Sequence, residues 1–233
     1  MKILAIGAHP DDVEMCSFGT LARCVQRGDS VVVCAVTNGN QGHHTIEPSQ
    51  LRMIRMKEGA KSAQVIGASY CTLDIDDMTL DAQDSTTQLK MTNLLRSIQP
   101  DIIITHDFDD YHPDHVATAE LVFHCMTQAF LTHVKTEHAA LNKPIFLYHM
   151  DKVGGGVFIP TEYVDIHTTF ESKIEALSCH MSQVEHIKET TGLDILHATT
   201  ILAEARGLQS GCRYAEGFKI SNRRSMPTTR LLP

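Results

Sequence analysis

Short apolar runs recur through the first 150 residues, each leading through a polar turn into a stretch with apolar residues at helical spacing. This alternation restricts the chain to folds built from strand, crossover helix and parallel strand. Lys2 to Ala8 is the first run, and its near-continuous apolar character suits a strand buried on both faces. A helix is expected from Ser17 to Arg27, closed by Gly28. The unit repeats with a strand over Ser30 to Thr37 and a helix from about Pro48 to Ile66. It repeats again with a strand over Tyr70 to Ile75 and a helix over Gln88 to Ile98. Asp101 to His106 and Ile145 to Met150 read as two more strands, separated by a helix reaching about His133. The remainder reads as helices near 168 to 190 and 199 to 209, a closing strand from Tyr214 to Ile220, and a frayed basic tail. The expected fold is α/β, a Rossmann-like, mostly parallel sheet flanked by helices.

Composition narrows the function. The chain has 233 residues, no internal repeat and no linker-like segment, so a single domain over 1–233 is expected. A net charge of -8 argues against a phosphate-backbone binder, and nucleic acid is not an expected partner. No apolar run approaches the roughly 20 residues needed to span a bilayer, and a cytoplasmic protein is expected. The seven cysteines form no C-x-x-C pair and read as reduced core residues.

Histidine is over-used, with 14 in the chain, and two clusters set it beside aspartate. His9-Pro10-Asp11-Asp12 follows the first strand, and Asp107 to His115 follows the fourth. In open α/β sheets, ligands bind beyond the carboxyl ends of the strands, where both clusters fall. His9, Asp12 and His115 would give one cation two imidazoles and a carboxylate, the mixture used by catalytic zinc. Adjacent residues leaving a strand point in different directions. One of Asp11 and Asp12 could therefore bind metal while the other faces water, and spacing alone leaves the choice open. Each cluster also has a plainer reading as a capped helix start.

Ala8-His9-Pro10-Asp11-Asp12-Val13-Glu14, together with His112-Pro113-Asp114-His115, resembles the two motifs of the zinc-dependent N-deacetylase family named for PIG-L and LmbE. Thr37-Asn38-Gly39, the start of the helix at Arg55 to Glu58, Lys173 to Gln183 and Tyr214 to Phe218 resemble that family too. The resemblance implies an LmbE-like fold and removal of an acetyl group from an N-acetylglucosamine-type amino sugar or its conjugate. It implies Zn2+ held by His9, Asp12 and His115, with Asp11 as general base toward the attacking water and a protonated His112 stabilising the oxyanion. Asp114 would orient His112 or a ligand imidazole. Arg55 and Asp77 match positions that contact the sugar in relatives. Relatives are often trimers or hexamers, so a homo-oligomer is a further expectation.

Several residues have plainer expectations. His43 and His44 read as exposed loop residues, His106 as a hydrogen-bonded structural histidine, and His180 and His186 as members of a solvated helix face. Arg55 could pair with Glu58 across a helical turn, a contribution of only about 0.2 to 0.5 kcal/mol. Three other functions compete. A zinc amidase of a larger sugar or thiol conjugate would use the same machinery. A magnesium-binding receiver-type signalling domain would use paired aspartates and Lys152, but would not need the histidines. A dinucleotide-binding sheet is disfavoured because the first turn lacks G-x-G-x-x-G.

Overall fold

The computed structural model describes all 233 residues. Its sheet has seven strands in the order β3-β2-β1-β4-β5-β7-β6. The strands are β1 (Lys2–Gly7), β2 (Ser30–Thr37), β3 (Ser69–Ile75), β4 (Ile102–Thr105), β5 (Phe146–Met150), β6 (Glu162–Asp165) and β7 (Ala215–Ile220). The first five are parallel, while β7 runs antiparallel to β5 and to β6. Seven helices complete the fold: α1 (Asp12–Gln26), α2 (Pro48–Val65), α3 (Ser85–Ile98), α4 (Pro113–Gln128), α5 (Phe170–Leu177), α6 (Met181–Thr191) and α7 (Ile195–Ser210).

The central strands are apolar on both faces because helices cover both. On one face Ile3, Ala5, Ile102 and Ile104 pack with Phe18, Leu21 and Phe218. On the other, Leu4, Ile6, Cys34 and Ile103 pack with Leu95, Leu121 and Met126. Strand order reverses between β1 and β4, whose parallel partners otherwise lie on opposite sides. Such a switch point opens a crevice at the carboxyl ends of its two strands.

Several elements differ from the sequence expectation. The helix expected from Ser17 begins at Asp12, because the acidic residues of its first turn satisfy the positive end of the helix. The segment expected as one helix near 168 to 190 is two, α5 and α6, broken at Ser178 to His180. The helix after the fourth strand stops at Gln128 rather than near His133. β6 is a four-residue strand paired only through β7, and its EYVD sequence carries little strand signal. The basic tail is not frayed: Leu232 is buried in the core and the Leu231 carbonyl accepts a bond from Arg27 at 2.9 Å.

Candidate metal centre and its pocket

Four loops at the carboxyl ends of β3, β2, β1 and β4 converge on a cavity of about 280 Å³. His9 and Asp11 come from the β1 turn and Asp12 from the start of α1, Gln41 and Gly42 from the β2 loop, Asp77 and Met78 from the β3 loop, Tyr111 and His112 from the β4 loop, and His115 from the first turn of α4. Arg55 of α2 and Gln183 and Ile187 of α6 close the walls. The β1 turn is compact: a Cβ at Gly7 would lie 2.9 Å from that of Asp12.

Asp12 lies at the centre. Its carboxylate is 3.4 Å from His9 Nδ1 and 3.3 Å from His115 Nε2. The far nitrogen of each ring is held by another carboxylate, His9 Nε2 by Asp114 at 3.1 Å and His115 Nδ1 by Asp110 at 3.0 Å. Once a cation displaces its second proton, a ring that donates through one nitrogen to a carboxylate presents its other nitrogen as a lone pair, the arrangement that orients metal-ligating histidines. Of the two partners expected for Asp114 from the sequence, its side chain takes the His9 imidazole. Asp114 also accepts the Met78 backbone N–H at 2.9 Å, which ties the β3 loop to the site.

Two triads of side chains lie close enough to share an ion, His9 with His112 and His115, and Asp12 with His106 and His115. Hydrogen bonding limits both. Nε2 of His106 is shared between the Ala8 N–H at 2.9 Å and the Asp12 carboxylate at 3.1 Å, in keeping with a hydrogen-bonded histidine. Nδ1 of His112 accepts the Asp114 N–H at 3.2 Å, where the ring caps α4. The neutral His112 ring therefore carries its proton on Nε2, as a donor. Burial, with His9 and His115 nearby, holds its pKa below the ordinary value.

The remaining charges explain how the carboxylates are set apart. Burial raises the carboxylic acid of Asp11, and Arg55 opposes this from 3.2 Å. Asp12 is equally buried, but His115 and His106 outweigh the burial and hold it well below the carboxylate range. Burial disfavours charge on His9, yet Asp114 and Asp12 lift it to about 9. His115 rises to about 10 for the same reason, with Asp12 and Asp110 as partners. Asp11 has a left-handed backbone, φ 116°, and its side chain caps nothing. Such a conformation in a non-glycine residue stores strain, which concentrates at functional sites.

Arg55 does not pair with Glu58. It is 3% exposed, donates to the Pro10 carbonyl at 2.6 Å and to that of Gly39 at 3.2 Å, and faces Asp11. Glu58 instead holds Ser182, at the start of α6. Asp77 lines the cavity while its oxygens accept the Gly39 and Gln41 N–H groups at 2.8 and 3.2 Å. His180 is not on a solvated face: it is 0% exposed, with Nε2 3.1 Å from Glu14. His186 is partly buried against His43, the rings stacked at 4.1 Å, while His44 is exposed as expected. Sequence reasoning passed over Asp110, whose signal was its place two residues before His112.

A doubly wound α/β sheet with a histidine and carboxylate centre at its switch point defines the class. The chain belongs to the PIG-L family, described as GlcNAc-PI de-N-acetylase, whose profile matches residues 4–126. It is 28% identical over 230 residues to diacetylchitobiose deacetylase of Thermococcus kodakarensis, covering 94% of this chain and 82% of that protein. Among solved structures, N,N'-diacetylchitobiose deacetylase from Pyrococcus horikoshii superposes with a TM-score of 0.83 at 26% identity, over 98% of this chain and 87% of that one. GalB, the 4-carboxy-2-hydroxymuconate hydratase from Pseudomonas putida, has the same fold, with a TM-score of 0.84 at 21% identity over 98% and 99% of the two chains. No helix is long and apolar enough to cross a membrane.

Proposed function

We propose that residues 1–233 form a zinc-dependent deacetylase of N-acetylglucosamine-type amino sugars or their conjugates. The observation that carries this reading is the pair of carboxylate-anchored imidazoles, His9 on Asp114 and His115 on Asp110, flanking the Asp12 carboxylate. Two nitrogens and one carboxylate fit zinc, whereas magnesium prefers oxygen ligands, which disfavours a receiver-type role. His9, Asp12 and His115 would hold the ion. When bound, zinc supplies Lewis acidity, lowering the pKa of water toward about 7 and polarising an amide carbonyl.

The protein's own groups divide the remaining work. Asp11, kept beside the ligands by its strained backbone and by Arg55, takes the proton from the attacking water and returns it to the leaving amine. His112 offers its Nε2–H to the oxygen that gains charge. Arg55, Asp77, Gln41 and Gln183 give the wall a polar surface suited to sugar hydroxyls.

The fold alone also accommodates a hydratase, and charge separates the two readings. An unsaturated polycarboxylate needs several free cationic donors, but the cavity's one arginine is already engaged by Asp11, Pro10 and Gly39. Acetate release from N-acetylglucosamine, N,N'-diacetylchitobiose and longer conjugates tests the proposal. Release supports it, while silence across that panel with water addition to an unsaturated polycarboxylate would replace it.

A further inference from the structure

Two cysteines distant in sequence meet on β2 and β3. Cys34 and Cys71 are register partners in that parallel ladder, so their side chains leave the same face of the sheet. Both belong to the core beneath α3, Cys34 fully buried and Cys71 packed at its margin. Neighbouring strands lie about 4.8 Å apart, inside the roughly 4.4 to 6.8 Å between Cα atoms that a disulfide spans.

The two thiols differ in access. β3 is the edge of the sheet, and Cys71 is only partly buried there, whereas Cys34 is 0% exposed. Burial pushes the Cys24 and Cys125 thiols up to about 12, whereas Cys71 sits at the margin of the core. Cys71 is thus the one that peroxide reaches first, and the buried Cys34 stands behind it. A redox-active cysteine needs both thiolate character and access, with a second thiol in reach to complete the bond.

We propose that Cys34 and Cys71 are a redox modification site, closed to a disulfide by peroxide and reopened by thiols. The Cys71 thiolate attacks one peroxide oxygen. The O–O bond breaks, hydroxide leaves, and Cys71 becomes a sulfenic acid, oxidised by two electrons. The Cys34 sulfur then attacks the Cys71 sulfur. The S–O bond breaks, and the hydroxyl leaves as water with the Cys34 proton. In sum, two thiols and one hydrogen peroxide give one disulfide and two waters. The bond would clamp β2 to β3 just before Asn38 and Asp74, which are already joined by a 3.1 Å hydrogen bond at the base of the loops carrying Gly42 and Asp77 to the cavity.

The test treats the full-length protein with hydrogen peroxide, blocks remaining thiols with N-ethylmaleimide under denaturing conditions, and maps peptides without reduction. The expected product is one linked pair containing Cys34 and Cys71, lighter by two hydrogens than the separate peptides and separated again by dithiothreitol. Cys34→Ala, which keeps the site apolar, should leave a Cys71 sulfenic acid that dimedone traps. Recovery of both cysteines as maleimide adducts, at a dose that oxidises the partly exposed Cys179 or Cys212, would overturn the proposal. So would Cys71 reaching sulfinic acid while Cys34 stays free.

Discussion

The Asp114 carboxylate lies 3.1 Å from Nε2 of His9, and this contact turns the other ring nitrogen toward Asp12. Asp110 does the same for His115 from the opposite side. Removing such a partner typically weakens metal binding by about 10 to 100-fold. Asp114→Asn and Asp110→Asn should therefore each lose zinc affinity by about that factor. Competition with a zinc chelator reads the change, and far-UV circular dichroism should show the fold intact.

Asp11 should be a residue at which function opposes stability. At φ 116° a side chain is strained and glycine is not. Asp11→Gly and Asp11→Ala both remove the carboxylate and its pairing with Arg55, so their difference isolates the backbone. The glycine variant should be more stable by roughly 1 kcal/mol, about 2 to 4 °C in Tm for a chain of this size. Thermal melts of the two inactive variants check this.

The buried His180 and Glu14 pair gives stability a pH dependence. Burial alone would lower His180, but Glu14 outweighs it and raises the pKa above the ordinary 6.5. Its contribution is complete below 6.5 and lost as pH rises through the folded value. Burial would raise Glu14, but His180 and Ser62 outweigh it and lower the pKa below 4.5. That contribution is present above 4.5 and lost as pH falls through the folded value. The pair thus stabilises most between about pH 4.5 and 6.5. His180→Gln should flatten the decline of Tm between pH 6.5 and 9 relative to the wild type.

Glu216 holds the far side of α1. It accepts the Gly19 and Thr20 N–H groups at 3.0 and 2.7 Å and pairs with Lys173 at 2.6 Å, with both side chains buried. Glu216→Gln would leave the Lys173 charge without its counter-ion, at a cost of about 3 to 5 kcal/mol. Urea unfolding should show the loss as a lower midpoint with an unchanged slope.

The central parallel strands were legible because a strand buried on both faces must be apolar throughout, as Ile3 to Ile6 and Ile102 to Ile104 are. The two histidine and aspartate clusters were legible because each follows such a strand. Other features depend on contacts between distant segments. His180 looks solvated among its charged neighbours until Glu14 of α1 is brought against it. In the acidic run after β4, Asp107 pairs with Lys219, Asp109 is exposed and Asp110 turns inward to His115, a division that no local pattern encodes. β6 exists because β7 offers it an edge.

Acetate release from an N-acetylglucosamine conjugate, followed as metal-free protein is titrated with zinc beside Asp11→Asn, tests the central claim most directly. The account predicts that wild-type turnover rises to a plateau at one zinc per chain. Asp11→Asn should bind the same single zinc with turnover lowered by at least about 100-fold, the scale of a lost general base. Full turnover by the metal-free protein, or by zinc-loaded Asp11→Asn, would contradict it.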